Sequence, residues 1–219
     1  MFPKKIKLSP SIIATDLSNL GETIKNFDGN LIDLIHVDVM DGFFVPNLTI
    51  GPGYIKDLKK QSHIPLDVHL MIEKPEKSID QYLALKPKYL TLHYESTNFL
   101  VRTANLIRQE NISPGLAINM QTPLEAIYDL LPLFDLILIM SVDPGFYGQP
   151  FIKESLGKIE RLSSFLKKEK MDHILIEVDG GLDDKNVSEV IKAGADIIVS
   201  GNYLFRENNI NIQAEKLLK

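Results

Sequence analysis

The chain alternates short β-branched runs with longer stretches whose apolar residues recur at helical spacing. Ile6–Leu8 reads as a first strand, and Ser9-Pro10-Ser11 then turns the chain into Ile12 and Ile13. Asp16 is placed to cap a helix running to about Asn26. The second strand is predicted over Leu31–Val39. A Gly- and Pro-rich loop over Asp41–Gly53 follows it, then a helix to Lys60. Six further strands are predicted: Pro65–Leu70, Tyr89–His93, Pro114–Ile118, Leu136–Met140, Ile174–Val178 and Ile197–Ser200. Between them the pattern predicts a helix opening at Lys74-Pro75-Glu76, with proline in its tolerated first turn, and one over Asn98–Glu110. Another opens at Thr122-Pro123 with Thr122 as cap. Two more cover Lys153–Glu169 and Asp183–Ala193, and a short helix lies in the tail to Lys219.

That is eight βα units with no linker between them, which predicts a parallel sheet. In a chain of 219 residues it suits a compact α/β fold, a (β/α)8 TIM barrel forming a single domain over residues 1–219. An open doubly wound sheet is the alternative. The first strand is not followed by the Gly-x-Gly-x-x-Gly of a dinucleotide fold.

One stretch stands out, Leu34-Ile35-His36-Val37-Asp38-Val39-Met40-Asp41-Gly42. Residues two apart on a strand share a face. Ile35, Val37 and Val39 therefore make an apolar face, and His36, Asp38 and Met40 a polar one. A buried Asp beside a buried His needs a partner to offset lost hydration. A metal or acid/base site and a satisfied structural pair both answer that need. A barrel gathers the C-terminal strand ends at one mouth, where its active site lies. Ser11, His36, Asp38, His69, His93 and Asp179 all fall there. His36, Asp38, His69 and Asp179 form a two-His, two-carboxylate set of the kind that binds zinc, manganese or iron. His93 reads as a supporting hydrogen-bond partner. His63 and His173 precede strands and take no role.

A second constellation is glycine-rich: Gly145-Phe146-Tyr147-Gly148, Gly180-Gly181 and Gly201-Asn202, after the sixth, seventh and eighth strands. Each glycine alone reads as a turn residue. Three such loops at one mouth favour phosphate, held by backbone N–H groups.

Composition narrows the rest. There is no cysteine, so any metal must be held by nitrogen and oxygen. A net charge of -5 without a basic stripe argues against nucleic acid. Lys56-Lys59-Lys60 and Lys167-Lys168-Lys170 read as solvated helix ends. No apolar run reaches the roughly 20 residues of a membrane span. Met1–Lys7 lacks the apolar stretch and cleavage site of a signal peptide. A cytoplasmic location is the expectation.

These segments carry a family resemblance over nearly the whole chain. They are Ser9-Pro10-Ser11-Ile12, the run from His36 to Gly42, and Phe44-Val-Pro-Asn47-Leu-Thr-Ile-Gly51-Pro52. Asp67-Val-His69-Leu-Met71-Ile, Pro144-Gly145-Phe146 with Gly148-Gln149, and Glu177-Val-Asp179-Gly180-Gly181 complete them. Together they resemble ribulose-phosphate 3-epimerase and its near relatives that epimerise hexulose phosphates such as allulose 6-phosphate. The resemblance implies one divalent metal (Zn, Mn, Fe or Co) held by His36, Asp38, His69 and Asp179. It makes Asp38 and Asp179 the catalytic pair on opposite faces of a phosphorylated ketose, working through a cis-enediolate. Ser11, His69, Met40, Met71 and Met140 would contact substrate. Gly145, Phe146, Tyr147, Gly148, Gly180, Gly181, Gly201 and Asn202 would hold the phosphate. A homo-oligomer is implied too.

Phe43, Asp143, Tyr147, Asn202 and Asn119-Met120 depart from the family's pattern, and Tyr147 and Asp143 leave pentulose and hexulose phosphates both open. The related decarboxylases and hexulose-phosphate synthases carry an Asp-x-Lys-x-x-Asp pattern after the second strand, and this chain has no lysine there. A non-catalytic sugar-phosphate sensor would show a broken acid pair, whereas both acids are present.

Overall fold

The computed structural model describes residues 6–207 and 209–218. Of the predicted barrel, Met1–Lys5, Asn208 and Lys219 lie outside the described residues. Eight strands form one parallel sheet: β1 (Lys7–Pro10), β2 (Ile35–Met40), β3 (Leu66–Met71), β4 (Tyr89–His93), β5 (Ser113–Ile118), β6 (Leu136–Met140), β7 (Leu175–Asp179) and β8 (Ile197–Ser200). They run in the order β1-β8-β7-β6-β5-β4-β3-β2. The ring closes between β1 and β2, where Leu34 N–H donates to Leu8 O at 3.2 Å and Ser11 bridges His36. The helices are α1 (Leu20–Lys25), α2 (Pro52–Lys59), α3 (Ile79–Leu83), α4 (Leu100–Gln109), α5 (Ser155–Lys168), α6 (Val187–Ala193), α7 (Asn202–Phe205) and α8 (Ile210–Leu217). No helix of the described residues is long and apolar enough to cross a membrane.

Several predicted elements come out differently: the second strand begins at Ile35 rather than Leu31, and the chain capped at Asp16 makes a 3₁₀ turn over Leu17–Asn19 before α1. The Ser9-Pro10-Ser11 turn is strand instead. Ser9 and Pro10 pair with Val199 and Ser200, so the first strand runs further along the sequence than its apolar run suggests. Proline is tolerated there because it stands at the strand's end. Helix α3 is reached only after a 3₁₀ turn over Pro75–Lys77. After β5 no α-helix capped by Thr122 forms. The chain makes 3₁₀ turns over Leu124–Ala126 and Tyr128–Leu133, the second containing Pro132, which has no N–H for a helical ladder. The Thr122 hydroxyl bonds the Glu95 carboxylate instead.

The apolar core lies in two layers. Outward faces of the strands, such as Ile35, Val37 and Val39, pack with Ile55, Ile107, Ile159 and other helix residues. Inside the barrel, Leu34, Tyr89, Ala117, Leu136, Leu138, Met140 and Ile197 make a smaller cluster. The interior is therefore divided. β5, β6 and β8 fill it with hydrocarbon, while β2, β3 and β7 present His36, Asp38, Asp67, His69, Glu177 and Asp179 to the same space. The register sets them in tiers: His36 beside Asp67, Asp38 beside His69, and Met40 beside Met71.

Candidate active site

A cavity of about 670 Å³ opens at the C-terminal ends of the strands. Ser11, Asp38, Met40, Met71, Met140 and Asp179 line its inner part. Gly145, Phe146, Tyr147, Gly148, Gly180, Gly181, Gly201 and Asn202 line the rest. His36 and His69 are fully buried beneath that floor.

His36 Nε2 lies 3.4 Å from Asp38 Oδ1 and 3.9 Å from Asp179 Oδ2. His69 Nδ1 lies 3.3 Å from Asp38 Oδ1 and 4.0 Å from Asp179 Oδ2. Ligand bonds of about 2.0–2.2 Å set the corners of a tetrahedral cation site about 3.4 Å apart. The four donors match that spacing, all lying within 4.8 Å of one another. His36 Nε2 is buried without a hydrogen-bond partner, as a nitrogen aimed at a cation would be. Its other nitrogen, Nδ1, is 2.7 Å from Asp67 Oδ2, which also accepts from the Ser9 hydroxyl at 3.2 Å. Asp67 thereby holds the ring proton on Nδ1 and leaves Nε2 free for the cluster. The residues fit a divalent cation with nitrogen and oxygen ligands.

The protein groups also polarise one another. Burial alone would depress His36, but the Asp38 and Asp67 carboxylates raise its pKa well above the usual imidazole value. Burial likewise works against Asp38 as an anion, yet His36 and His69 lower its pKa. Asp179 goes the other way, raised to about 7 by burial and by the Asp38 charge despite His36. One carboxyl of the pair is thus set to ionise and the other to keep a proton near neutrality, the usual mark of an acid/base couple. Deeper in the barrel, burial and the Asp67 charge push Glu177 well above the carboxylate range.

Ser11 lines the cavity and also donates to Asp38 Oδ2 at 2.5 Å, so it orients the carboxylate. The three methionines cover the floor with apolar surface. His93 stands behind the cluster, its Nε2 2.8 Å from His69 Nε2, which makes it a supporting partner. The glycine loops are tied in place by polar groups. Ser141 Oγ donates to Asp179 O and Gly180 O, and Ser200 Oγ to Leu182 O. Asn47 Nδ2 donates to Gly145 O at 2.8 Å, joining the loops after β2 and β6. Phe146 and Tyr147 stand exposed at the rim.

Gly181 has φ +67°, and a Cβ there would sit 2.5 Å from Phe151 N and 2.8 Å from Gln149 O. Gly181→Ala is expected to cost about 1–3 kcal/mol of stability from its left-handed backbone and to push the β6–α5 loop outward. Steady-state kinetics should show KM rising more than kcat falls. An unchanged melting temperature and KM would mean that the loop has slack.

Sequence reasoning missed the lower tier. Asp67 and Glu177 stand two residues before His69 and Asp179, and so share their face. That parity was readable. Glu95, Thr122 and Lys158, which build outward from His93, carry no such signal.

What fold and cluster define is a class, the (β/α)8 barrels with a buried two-His, two-carboxylate set at the mouth. The model of the ribulose-phosphate 3 epimerase family matches residues 7–205. The chain belongs to that family and is an epimerase. It is 39% identical over 204 residues to the ribulose-phosphate 3-epimerase of Bacillus subtilis, covering 93% of this chain and 94% of the relative. It is 44% identical over 208 residues to that of Synechocystis, covering 94% and 90%. Among solved structures, the 3-keto-L-gulonate-6-phosphate decarboxylase of Vibrio cholerae matches with a TM-score of 0.70 over 97% of each chain, at 11% identity. That likeness is one of fold.

Proposed function

We propose that the protein interconverts D-ribulose 5-phosphate and D-xylulose 5-phosphate by proton transfer at C3, with His36, Asp38, His69 and Asp179 holding one divalent cation. The observation that carries this reading is the convergence of Asp38 and Asp179 on one cavity floor, with their proton affinities pushed apart. Inverting a carbon that bears hydrogen needs a proton-transfer group on each face, and two carboxylates supply it. Asp38 takes the C3 proton from one face, leaving a cis-enediolate, and Asp179 returns a proton to the other. In the reverse direction the roles exchange. Zinc, manganese, iron or cobalt bound there would supply positive charge to balance the oxyanion. Ser11 keeps Asp38 aimed. Met40, Met71 and Met140 keep water from the reacting face. Backbone N–H groups of the loops at Gly145–Gly148, Gly180–Gly181 and Gly201–Asn202 take the phosphate, the grip from which the reacting carbon is positioned.

Curated relatives near 40% identity bear the pentulose name, which favours that substrate. D-allulose 6-phosphate is the second reading, favoured by Tyr147 at the cavity's rim, where the ring bears on substrate length. The test is kcat/KM for both ketose phosphates with metal-reconstituted protein. The pentulose is expected to lead by at least tenfold. Preference for the hexulose would replace the first reading, and activity on neither would refute both.

A further inference from the structure

The buried polar groups behind His69 form a chain with one consistent direction. His69 Nδ1 faces the carboxylates of the cluster, and its Nε2 lies 2.8 Å from His93 Nε2. Two nitrogens that close share a single hydrogen. His93 Nδ1 in turn lies 3.2 Å from Glu95 Oε2. The other oxygen of Glu95, Oε1, accepts from Asn119 N–H at 2.9 Å and from the Thr122 hydroxyl. The Asn119 and Thr122 carbonyls, finally, accept from the Lys158 ammonium at 2.6 and 2.5 Å. Lys158 is almost wholly buried on α5, and both histidines are fully buried.

We infer that Glu95 is a positioning residue for the epimerase reaction, fixing through His93 the tautomer in which His69 presents its Nδ1 lone pair to the metal. The inference rests on the metal reading above. An ionised carboxylate only accepts hydrogen bonds. His93 must therefore carry its proton on Nδ1 and accept at Nε2. His69 must then donate from Nε2, which leaves Nδ1 bare toward the cluster. Reversing the chain would put a hydrogen on His69 Nδ1, where a ligand needs a lone pair. Glu95 suits the terminal role because its acceptor state is enforced from three sides. Burial opposes its ionisation, but His93, Thr122 and Asn119 together hold its pKa down at about 2. Lys158 fastens the Asn119–Thr122 segment that supplies two of those donors. His36 reaches the same end by a shorter route, since Asp67 receives its Nδ1 proton directly. The two imidazoles of the cluster thus have their tautomers set by two unrelated acids, one on β3 and one after β4.

Glu95→Gln keeps the shape but places an amide N–H₂ where either His93 or the Asn119 and Thr122 donors need an acceptor. The experiment measures the metal dissociation constant of the full chain by competition with a chromophoric chelator, and the melting temperature of the metal-free protein. E95Q is expected to weaken binding about 10–100-fold. His93→Leu, which removes the acceptor, should do the same. His93→Gln, whose amide oxygen can accept from His69 Nε2, should stay close to wild type, and E95Q should add little in that background. An E95Q protein that melts lower but binds metal as the wild type does would overturn the inference and leave the metal reading intact. So would an equal loss from E95Q with or without H93Q. If E95Q does not fold, the His93 pair decides, and equal constants for H93L and H93Q overturn the relay. A wild type that binds no divalent cation would overturn the metal reading and the inference with it.

Discussion

Asp179→Asn is expected to abolish epimerisation, lowering kcat by about 10²–10⁴-fold, the usual contribution of a positioned general acid or base. Asparagine keeps an oxygen toward His36 and His69 but carries no exchangeable acid proton. Metal content therefore has to be measured beside turnover, so that loss of the proton carrier is separated from loss of the cation. On the proposed assignment of Asp38 and Asp179 to opposite faces, each single variant should keep half of the chemistry. In deuterated water, D179N is expected to exchange the C3 hydrogen of the epimer that presents it to Asp38, with no conversion to the other epimer. D38N should show the complementary selectivity. The different proton affinities of the two carboxyls explain why one can be charged while the other is loaded: Asp38 lies beside two imidazoles, and Asp179 is raised to about 7 by burial and by the Asp38 charge. Full epimerisation by either variant would rule out the two-carboxylate mechanism.

The fold was readable because each strand's outward face had to be apolar to meet a helix. β4, β6 and β8 begin and end where the β-branched runs do. The errors have separate physical causes. Thr122 before Pro123 resembles a helix cap, but Glu95 takes its hydroxyl, and that demand comes from the turn after β4. Ser9-Pro10-Ser11 has turn composition, yet pairing with β8 overrides it. The four-residue cluster was legible through strand parity combined with the barrel rule that strand ends meet. The same parity extends one tier deeper to Asp67 and Glu177, where a reading confined to the mouth stops. Glu95 and Lys158 were beyond it altogether. One sits just past a strand and the other on an outer helix, and only closure of the barrel makes them neighbours of the same backbone segment.

On the proposed metal assignment, treatment with a chelator should lower turnover by at least a hundredfold, and adding back zinc, manganese, iron or cobalt should restore it. The protein's own charges make the size of the effect plain. When the C3 proton passes to Asp38 its negative charge moves onto the sugar oxygens of the enediolate, on a buried floor where without a cation that charge is left uncompensated. A Lewis acid at such a site is worth several kcal/mol, and each 1.36 kcal/mol is about tenfold in rate. The same electrostatics fix the pH dependence of metal uptake. His36 is raised above its usual value by Asp38 and Asp67 against the pull of burial, and Asp179 is raised to about 7. His36 holds its extra proton near neutrality in the metal-free cluster and must lose it from Nε2 to bind, whereas the Asp179 carboxyl can ligate through one oxygen and keep on the other the proton that it returns to C3. Metal binding should therefore release about one proton at pH 7 and tighten as pH rises. As pH falls the affinity should drop, because protons then compete for His36 Nε2. Calorimetric titration in two buffers of different ionisation enthalpy counts the protons. Release of none, with affinity flat between pH 6 and 8, would place the cation elsewhere than on His36.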